Sequence, residues 1–446
     1  MNCFELYRKP RLLANRDLVH VLCYNSTVSQ QLTYYETLRG KRLKRAALIL
    51  CTVFTLLWIT SCGGSNSTGT VSGLTHRAFI SNPTMGILLI MDTAHDSIGT
   101  NIDYNTGSYI PYSIRVGNLV TWMVLSPDKT TTLAYQSSID AVWFVNNQTE
   151  TTRSSVTLSA AADMALWSPD NKTVYAPVRN VAISNAPLGG IQVIDVGTAA
   201  ITTTWPVPAA RWAALSPSGQ YLLVFADNSD SAWLIDTTAS TVAAVQIPGF
   251  ARPVGAFFSS DNNTAYVLNC GPECGSNAGP PSVASLDIPS KTIKATVPVG
   301  GASVGYLNNS TLYVAGSPTS HSGTFDAINV GNMTRTTTNP VVIGDGYHSI
   351  MALSGNNKLY IGASTCQNVT SGCLSVVDVT NNTAAPPMPP NGAVTGLQAI
   401  PNRNTMYVIE GGYLHIYDTT TDKLQAKQYV FSSGYGGTLY GVVQVE

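Results

Sequence analysis

Charge is scarce in this chain. Of its 446 residues only 11% are Asp, Glu, Lys or Arg, against about 25% in an average soluble domain. With 44% hydrophobic residues there is ample apolar material for a core, which excludes a solvated disordered chain. A formal net charge of −1 excludes a broad basic surface, and with it a nucleic-acid partner. Helical periodicity of useful length is missing after residue 70. Also missing is any apolar run of the roughly 20 residues that a spanning helix needs; the run 46–59, AALILCTVFTLLWI, has only 14. The motif H-E-x-x-H, a P-loop and G-x-G-x-x-G are all absent, so no zinc-protease, nucleotide-phosphate or dinucleotide signature is present. In their place stand 37 Gly, 24 Pro and 21 Tyr among many Ser, Thr and Asn, a composition of short strands and many turns. The length suits two or three domains, but equally one large all-β domain.

The few charges are unevenly placed. Residues 1–61 hold nine Lys/Arg and three acids, leaving 15 basic and 22 acidic residues in 62–446, a net of −7. The basic segment RGKRLKR (39–45) precedes the 14-residue apolar run, which ends in Ile59-Thr60-Ser61-Cys62-Gly63-Gly64. A basic start, a short apolar core and small residues describe an export signal rather than a membrane span. Small residues directly before a cysteine resemble the lipobox of bacterial lipoproteins. The resemblance implies a signal over 38–61, Cys62 as the lipidated first residue, and attachment to a membrane through several acyl chains, which hold far better than one. An ordinary secretory signal or an uncleaved anchor is the alternative. Residues 62–73 read as a flexible Gly/Ser tether. Residues 1–37 fit no signal and are expected to lie upstream of the true start.

Cys3, Cys23 and Cys51 precede the expected cut, and four cysteines remain beyond Cys62. Cys270 with Cys274, and Cys366 with Cys373, each lie in a Gly/Asn/Ser-rich turn between apolar strands. Two local disulfides in an oxidising compartment are expected. One four-cysteine zinc site is the alternative, although such sites usually show tighter C-x₂-C spacing; no metal is expected.

Self-comparison shows a repeat. An apolar strand followed by a Ser/Pro/Asn turn recurs as MVLSPDKT, ALWSPDNKT, AALSPSGQ, AFFSSDNNT, VGYLNNST, MALSGNNK and LQAIPNRNT, with turn positions 126, 168, 216, 259, 308, 354 and 401. The spacings run from 42 to 49 residues. Each turn is followed by a second strand such as YLLVFA or TLYVAG, then by a third ending in an acid (Asp195, Asp236, Asp287, Asp378, Asp418), then by a Thr-rich turn and a fourth strand. Four short strands per unit predict an all-β fold, a single β-propeller of four-stranded antiparallel blades over 74–446.

The turns SPDK, SPDN and SPSG with the strands IQVIDV, AWLIDT and LSVVDV resemble the YVTN family of bacterial propeller repeats, over about residues 74–446. The match weakens at NNST and PNRN. The resemblance implies the fold and a propeller that need carry no catalytic activity.

RAFISN and GILLIMDT at the start lack a preceding first strand, and TLYGVVQVE at the end is a first strand with nothing after it. Sewing the last segment onto the first blade closes the ring and removes sheet edges that invite aggregation. Eight blades are therefore expected, or seven if 77–118 is partly irregular.

The acid repeated at the end of these five third strands is expected to accept hydrogen bonds from the turn after it rather than to do chemistry. The histidines His20, His76, His95, His321, His348 and His415 show no metal-ligand spacing. The triplets at Asn147, Asn171, Asn332 and Asn368 read as Asn/Thr-rich turns. Innermost strands line the channel of a propeller, and the loops leading into them form one rim. On that rim the repeat places Trp122, Asp163, Arg211, Trp212, Arg252, Tyr347 and His348. Aromatic and Arg side chains around a concavity suit a small polar ligand or a peptide segment, although the Trp residues also suit packing between blades.

The expectation is a cell-envelope lipoprotein, membrane-bound through Cys62, whose propeller binds an envelope protein or polymer without a cofactor. The fold also resembles that of propeller lactonases, which would give Asp163, Arg211, Arg252 and His348 roles at a sugar lactone; none of them matches a quotable lactonase motif. A quinone- or metal-dependent dehydrogenase lacks cofactor-binding signatures.

Overall fold

A computed structural model of the chain describes residues 71–103, 107–184, 186–319, 322–366, 372–386, 388, 391–428 and 437–446. Residues 1–37, the expected signal 38–61, Cys62 and most of the tether lie outside the described residues, as do His20, His321 and Asn368. The described residues belong to one compact unit, 69–446. Among them no helix is long and apolar enough to cross a membrane.

Eight antiparallel sheets form the blades of a β-propeller. Blade 2 runs from Val120–Leu125 to Thr151–Thr157, blade 3 from Leu166–Trp167 to Ala200–Pro206, and blade 4 from Ala210–Leu215 to Ala244–Pro248. Blade 5 runs from Pro253–Phe258 to Thr292–Pro298, blade 6 from Val304–Asn308 to Val341–Ile343, blade 7 from His348–Leu353 to Thr383–Ala384, and blade 8 from Val394–Ile400 to Lys423–Gln428. Blade 1 takes its innermost strand from the other end of the chain. Val442–Gln444 pairs with Arg77–Asn82, setting Ile80 opposite Val442 and Ala78 opposite Gln444. Arg77 completes the closure with ion pairs to Glu150 of blade 2, at 2.6 Å, and to Glu446.

The segment that left seven blades open is a blade whose outer edge is interrupted. Ser97–Ile98 and Ser113–Arg115 both pair with Ile87–Asp92, and the hairpin Thr100–Asp103 with Ser108–Pro111 is inserted between them.

Second and third strands are buried on both faces between neighbouring blades, as Leu222, Leu223, Val224 and Phe225 are in blade 4. That explains their continuous apolar runs. Outer strands alternate exposed and covered residues, as in TIKATVP of blade 5. A period of two results, because only one face meets a neighbour.

The turn between first and second strands is built by its own side chains. In SPDKT, Ser126 Oγ donates to Asp128 at 2.6 Å and accepts the Thr131 N–H at 3.0 Å. The fourth position is left-handed, and Lys129, Asn171, Gly219, Asn262 and Asn357 occupy it in blades 2, 3, 4, 5 and 7. Asn and Gly dominate there because they adopt that conformation at least cost. Asn262 also reaches the Ser218 N–H of the preceding blade at 2.8 Å, so these turns stitch neighbours together. The repeated acids likewise serve turns. Asp195 accepts from Thr198 N–H and Oγ1, both at 2.7 Å, and Asp236, Asp287, Asp378 and Asp418 accept from the Ser or Thr after them.

Candidate functional site at the channel mouth

The two ends of the propeller differ. One carries the regular Ser/Asp/Asn turns. The other carries the loops leading into each innermost strand and the hairpins between second and third strands; we call it the mouth face. On it the innermost strands of blades 2, 4, 5, 7 and 8 begin with a β-bulge. A bulge redirects the extra side chain. In blade 4 the break in register falls between Ala210 and Trp212, so the extra residue is Arg211.

Arg211 lies in a four-membered ionic cluster. Its Nε donates to Asp163 and its Nη1 to Asp227, both at 2.7 Å. Arg179 bridges the same two carboxylates at 3.3 and 3.2 Å. The guanidinium also lies 4.1 Å above the Trp212 ring, a favourable placement over the negative face of the indole. Burial alone would raise the Asp227 carboxyl; the bonds from Arg211 and then Arg179 outweigh it and hold it below the ordinary range.

Beside this cluster, between blades 4 and 5, is a cavity of about 300 Å³, lined by Arg211, Trp212, Asp227, Asn228, Arg252, Glu273 and Tyr347 with neighbouring backbone. That volume is at the lower limit of small-molecule sites. Arg252 has left-handed backbone (φ 52°). It donates to the carbonyls of Cys274 and Gly275 at 3.2 and 3.3 Å and lies 3.7 Å from Asp230. Tyr347 projects from the loop before blade 7 into the field of Arg211 and Glu273, and burial raises its hydroxyl above the ordinary tyrosine value.

Glu273 was not among the expected site residues. It sits in the loop C-G-P-E-C, closed by the Cys270–Cys274 disulfide and wound as a single 3₁₀ turn. Its Oε2 accepts the Ser317 N–H of blade 6 at 2.9 Å, whereas Oε1 is buried without a partner. Burial pushes its carboxyl up to about 7, partly opposed by the bond from the Ser317 N–H. Gly316 makes room for it, since a Cβ there would stand 2.6 Å from Oε2. The sequence signal was faint: one acid inside a tight cysteine pair.

The expected rim residues therefore separate. Arg211, Trp212, Arg252 and Tyr347 meet at the cavity, and Asp163 adjoins it through Arg211. Trp122 does not line it. Its ring stacks on Tyr135 at 4.9 Å, its Nε1 donates to the Ala162 carbonyl at 3.0 Å, and it packs in the core between blades 2 and 3. His348 is fully buried beneath the face, with neither ring nitrogen at hydrogen-bonding geometry to a partner. Burial lowers its pKa to about 4, against the smaller opposing effects of the Gly344 backbone and Asp345.

Gly301-Ala302-Ser303-Val304-Gly305 also spells G-x-S-x-G, a pattern whose catalytic reading requires a strand–turn–helix. Here Ser303 leads into the innermost strand of blade 6, and its hydroxyl donates to the carbonyls of His348 and Ala315 at 3.0 and 3.3 Å. That context is not a nucleophile's. Both expected cysteine pairs are disulfides, Cys366–Cys373 being the second. Asp345 lies close to that pair, but sulfurs joined to each other offer no thiolate to zinc. The disulfides are consistent with a chain outside the reducing cytosol.

No family model matches this chain, and no curated protein matches it in sequence. Among solved structures, it is similar to dihydro-heme d1 dehydrogenase NirN in complex with DHE, with a TM-score of 0.61 and 13% identity over 83% of this chain and 75% of that one. It is also similar to a functionally unknown protein from Desulfotomaculum acetoxidans DSM 771, with a TM-score of 0.50 and 16% identity over 72% of this chain and 98% of that one. At such identities the likeness extends to the fold, and the chain is a β-propeller of eight blades.

Proposed function

We propose that this protein is a binding module of the cell envelope, a rigid propeller of the YVTN type that engages an envelope protein or polymer at its mouth pocket. The observation that carries this reading is the concentration of irregular, partly buried polar side chains at one end. Arg211 on its bulge, Arg252 in a left-handed conformation and the disulfide-held Glu273 converge on one cavity, while the opposite end is occupied by repeated turns. Bulges of this kind re-aim a side chain and are over-represented beside active and binding sites.

The reading includes membrane attachment through a lipidated Cys62, supported by the basic, apolar and small-residue succession before it and by the disulfides. Cys62→Ser should move the protein from the membrane to the soluble fraction; unchanged membrane recovery argues against the anchor. Capture of the full-length protein from cross-linked cells of its source, beside the Arg211→Ala/Trp212→Ala variant, tests the pocket. A stoichiometric partner lost only from the variant is the expected result. A partner retained by a folded variant removes the pocket from the account.

A further inference from the structure

The mouth pocket has a second feature, its charge balance, and the inference drawn from it rests on the reading that this pocket is the binding site. We propose that the pocket takes a neutral, hydroxyl-rich ligand, a sugar residue free or at the end of a glycan, laid against Tyr347 and hydrogen-bonded by Arg252, Asn228 and Glu273.

Three observations converge. First, the cations of the wall already have anions. Arg179 and Arg211 share Asp163 and Asp227, and Arg252 faces Asp230. An ionic ligand would have to displace a carboxylate or guanidinium from its partner, leaving a half-buried charge uncompensated, which is costly. Second, the lining combines aromatic surface with planar polar groups. A sugar ring offers the matching pattern, an apolar face of C–H bonds and a rim of hydroxyls that both donate and accept. Third, Glu273 has one buried oxygen without a partner and titrates near neutrality. A hydroxyl can accept from its protonated form and donate to its ionised form. A carboxylate ligand suits only the first, an ammonium only the second. The small cavity fits one sugar residue rather than a length of chain.

The test is a titration of the full-length, oxidised protein, followed by calorimetry and tryptophan fluorescence. The probes are glucose, galactose, mannose, N-acetylglucosamine and their disaccharides, with glucuronate and glucosamine as anionic and cationic counterparts. At least one neutral sugar should saturate below about 10 mM, near the weak limit of a specific site. Its affinity should change less than about threefold between pH 5.5 and 8.5, because either form of the carboxyl serves a hydroxyl. Glu273→Ala should weaken it about tenfold or more, whereas Glu273→Gln, which keeps a donor and an acceptor, should stay within about threefold. Gly316→Ala, whose Cβ would stand 2.6 Å from Glu273 Oε2, should weaken it too.

The proposal is overturned if no neutral sugar saturates, if Glu273→Ala binds as well as wild type, or if glucuronate or glucosamine is preferred with affinity rising toward acid or alkaline pH respectively. Should no sugar bind while Arg211→Ala/Trp212→Ala still loses its captured partner, the sugar assignment alone falls. If the partner is retained as well, the binding-site reading falls with it.

Discussion

Glu273→Gln is a sharp test of how the pocket is built. Glutamine copies the protonated carboxyl in shape and removes the titration. In the folded chain burial raises the carboxyl from 4.5 to about 7. Between those values the native state holds more protons than the unfolded one, so wild-type stability falls as pH rises through that window. At about 1.36 kcal/mol per pKa unit the loss reaches at most ~3 kcal/mol above pH 7. The variant should therefore match wild type near pH 4 and exceed it progressively to pH 8. For a unit of this size ~3 kcal/mol corresponds to about 4 °C in Tm. Paired calorimetric scans of the oxidised proteins at several pH values measure the gap. A gap that stays constant with pH, or one that closes as pH rises, refutes the burial of an ionisable Glu273.

His348 gives the opposite sign. Its folded pKa lies near 4, below the unfolded 6.5, so stability present above pH 6.5 is lost as pH falls through that interval, by at most ~3 kcal/mol. His348→Leu should flatten this acid limb in scans from pH 7 to 4; an unchanged limb assigns the acid sensitivity elsewhere. Replacing Cys270 and Cys274 by Ser opens a five-residue loop, worth about 2 kcal/mol by chain entropy, and should release Glu273, giving a lower Tm and faster exchange of the Ser317 amide, which that carboxylate holds. Unaltered exchange would mean that the disulfide does not hold Glu273. Deleting 441–446 removes the closing strand and the Arg77–Glu446 pair, exposing a strand edge. The expected result is loss of the monomer to aggregation on size-exclusion chromatography, and a stable monomer would show that closure is dispensable.

Much of the fold was legible because its determinants are local and repeated. Ser126, Asp128 and Lys129 build a turn within five residues, and six further copies give the blade period. Closure was readable as a missing first strand at one end of the chain and a surplus one at the other. The inserted hairpin at Thr100–Asp103 carries no repeat signature, hence the ambiguity between seven and eight blades. The site was only half legible. Repeat position brings Arg211, Arg252 and Tyr347 to one rim, but whether a rim side chain faces the channel or a neighbouring blade depends on packing across blades. Trp122 faces Tyr135 and the Ala162 carbonyl, and His348 is enclosed beneath the rim. Glu273, Asp227 and Arg179 lie in hairpins between second and third strands, whose lengths vary and whose sequences do not repeat. Their convergence is a property of the ring.

In the proposed function the mouth face, and not the face of repeated turns, meets the partner. Site-specific photo-cross-linking in the source cells tests it directly, with a benzophenone amino acid replacing Tyr347 in the pocket or the exposed Lys172 in a turn of the opposite face. A discrete adduct is expected from position 347 and none from 172; an adduct from 172 with none from 347 would put the partner on the face of repeated turns instead.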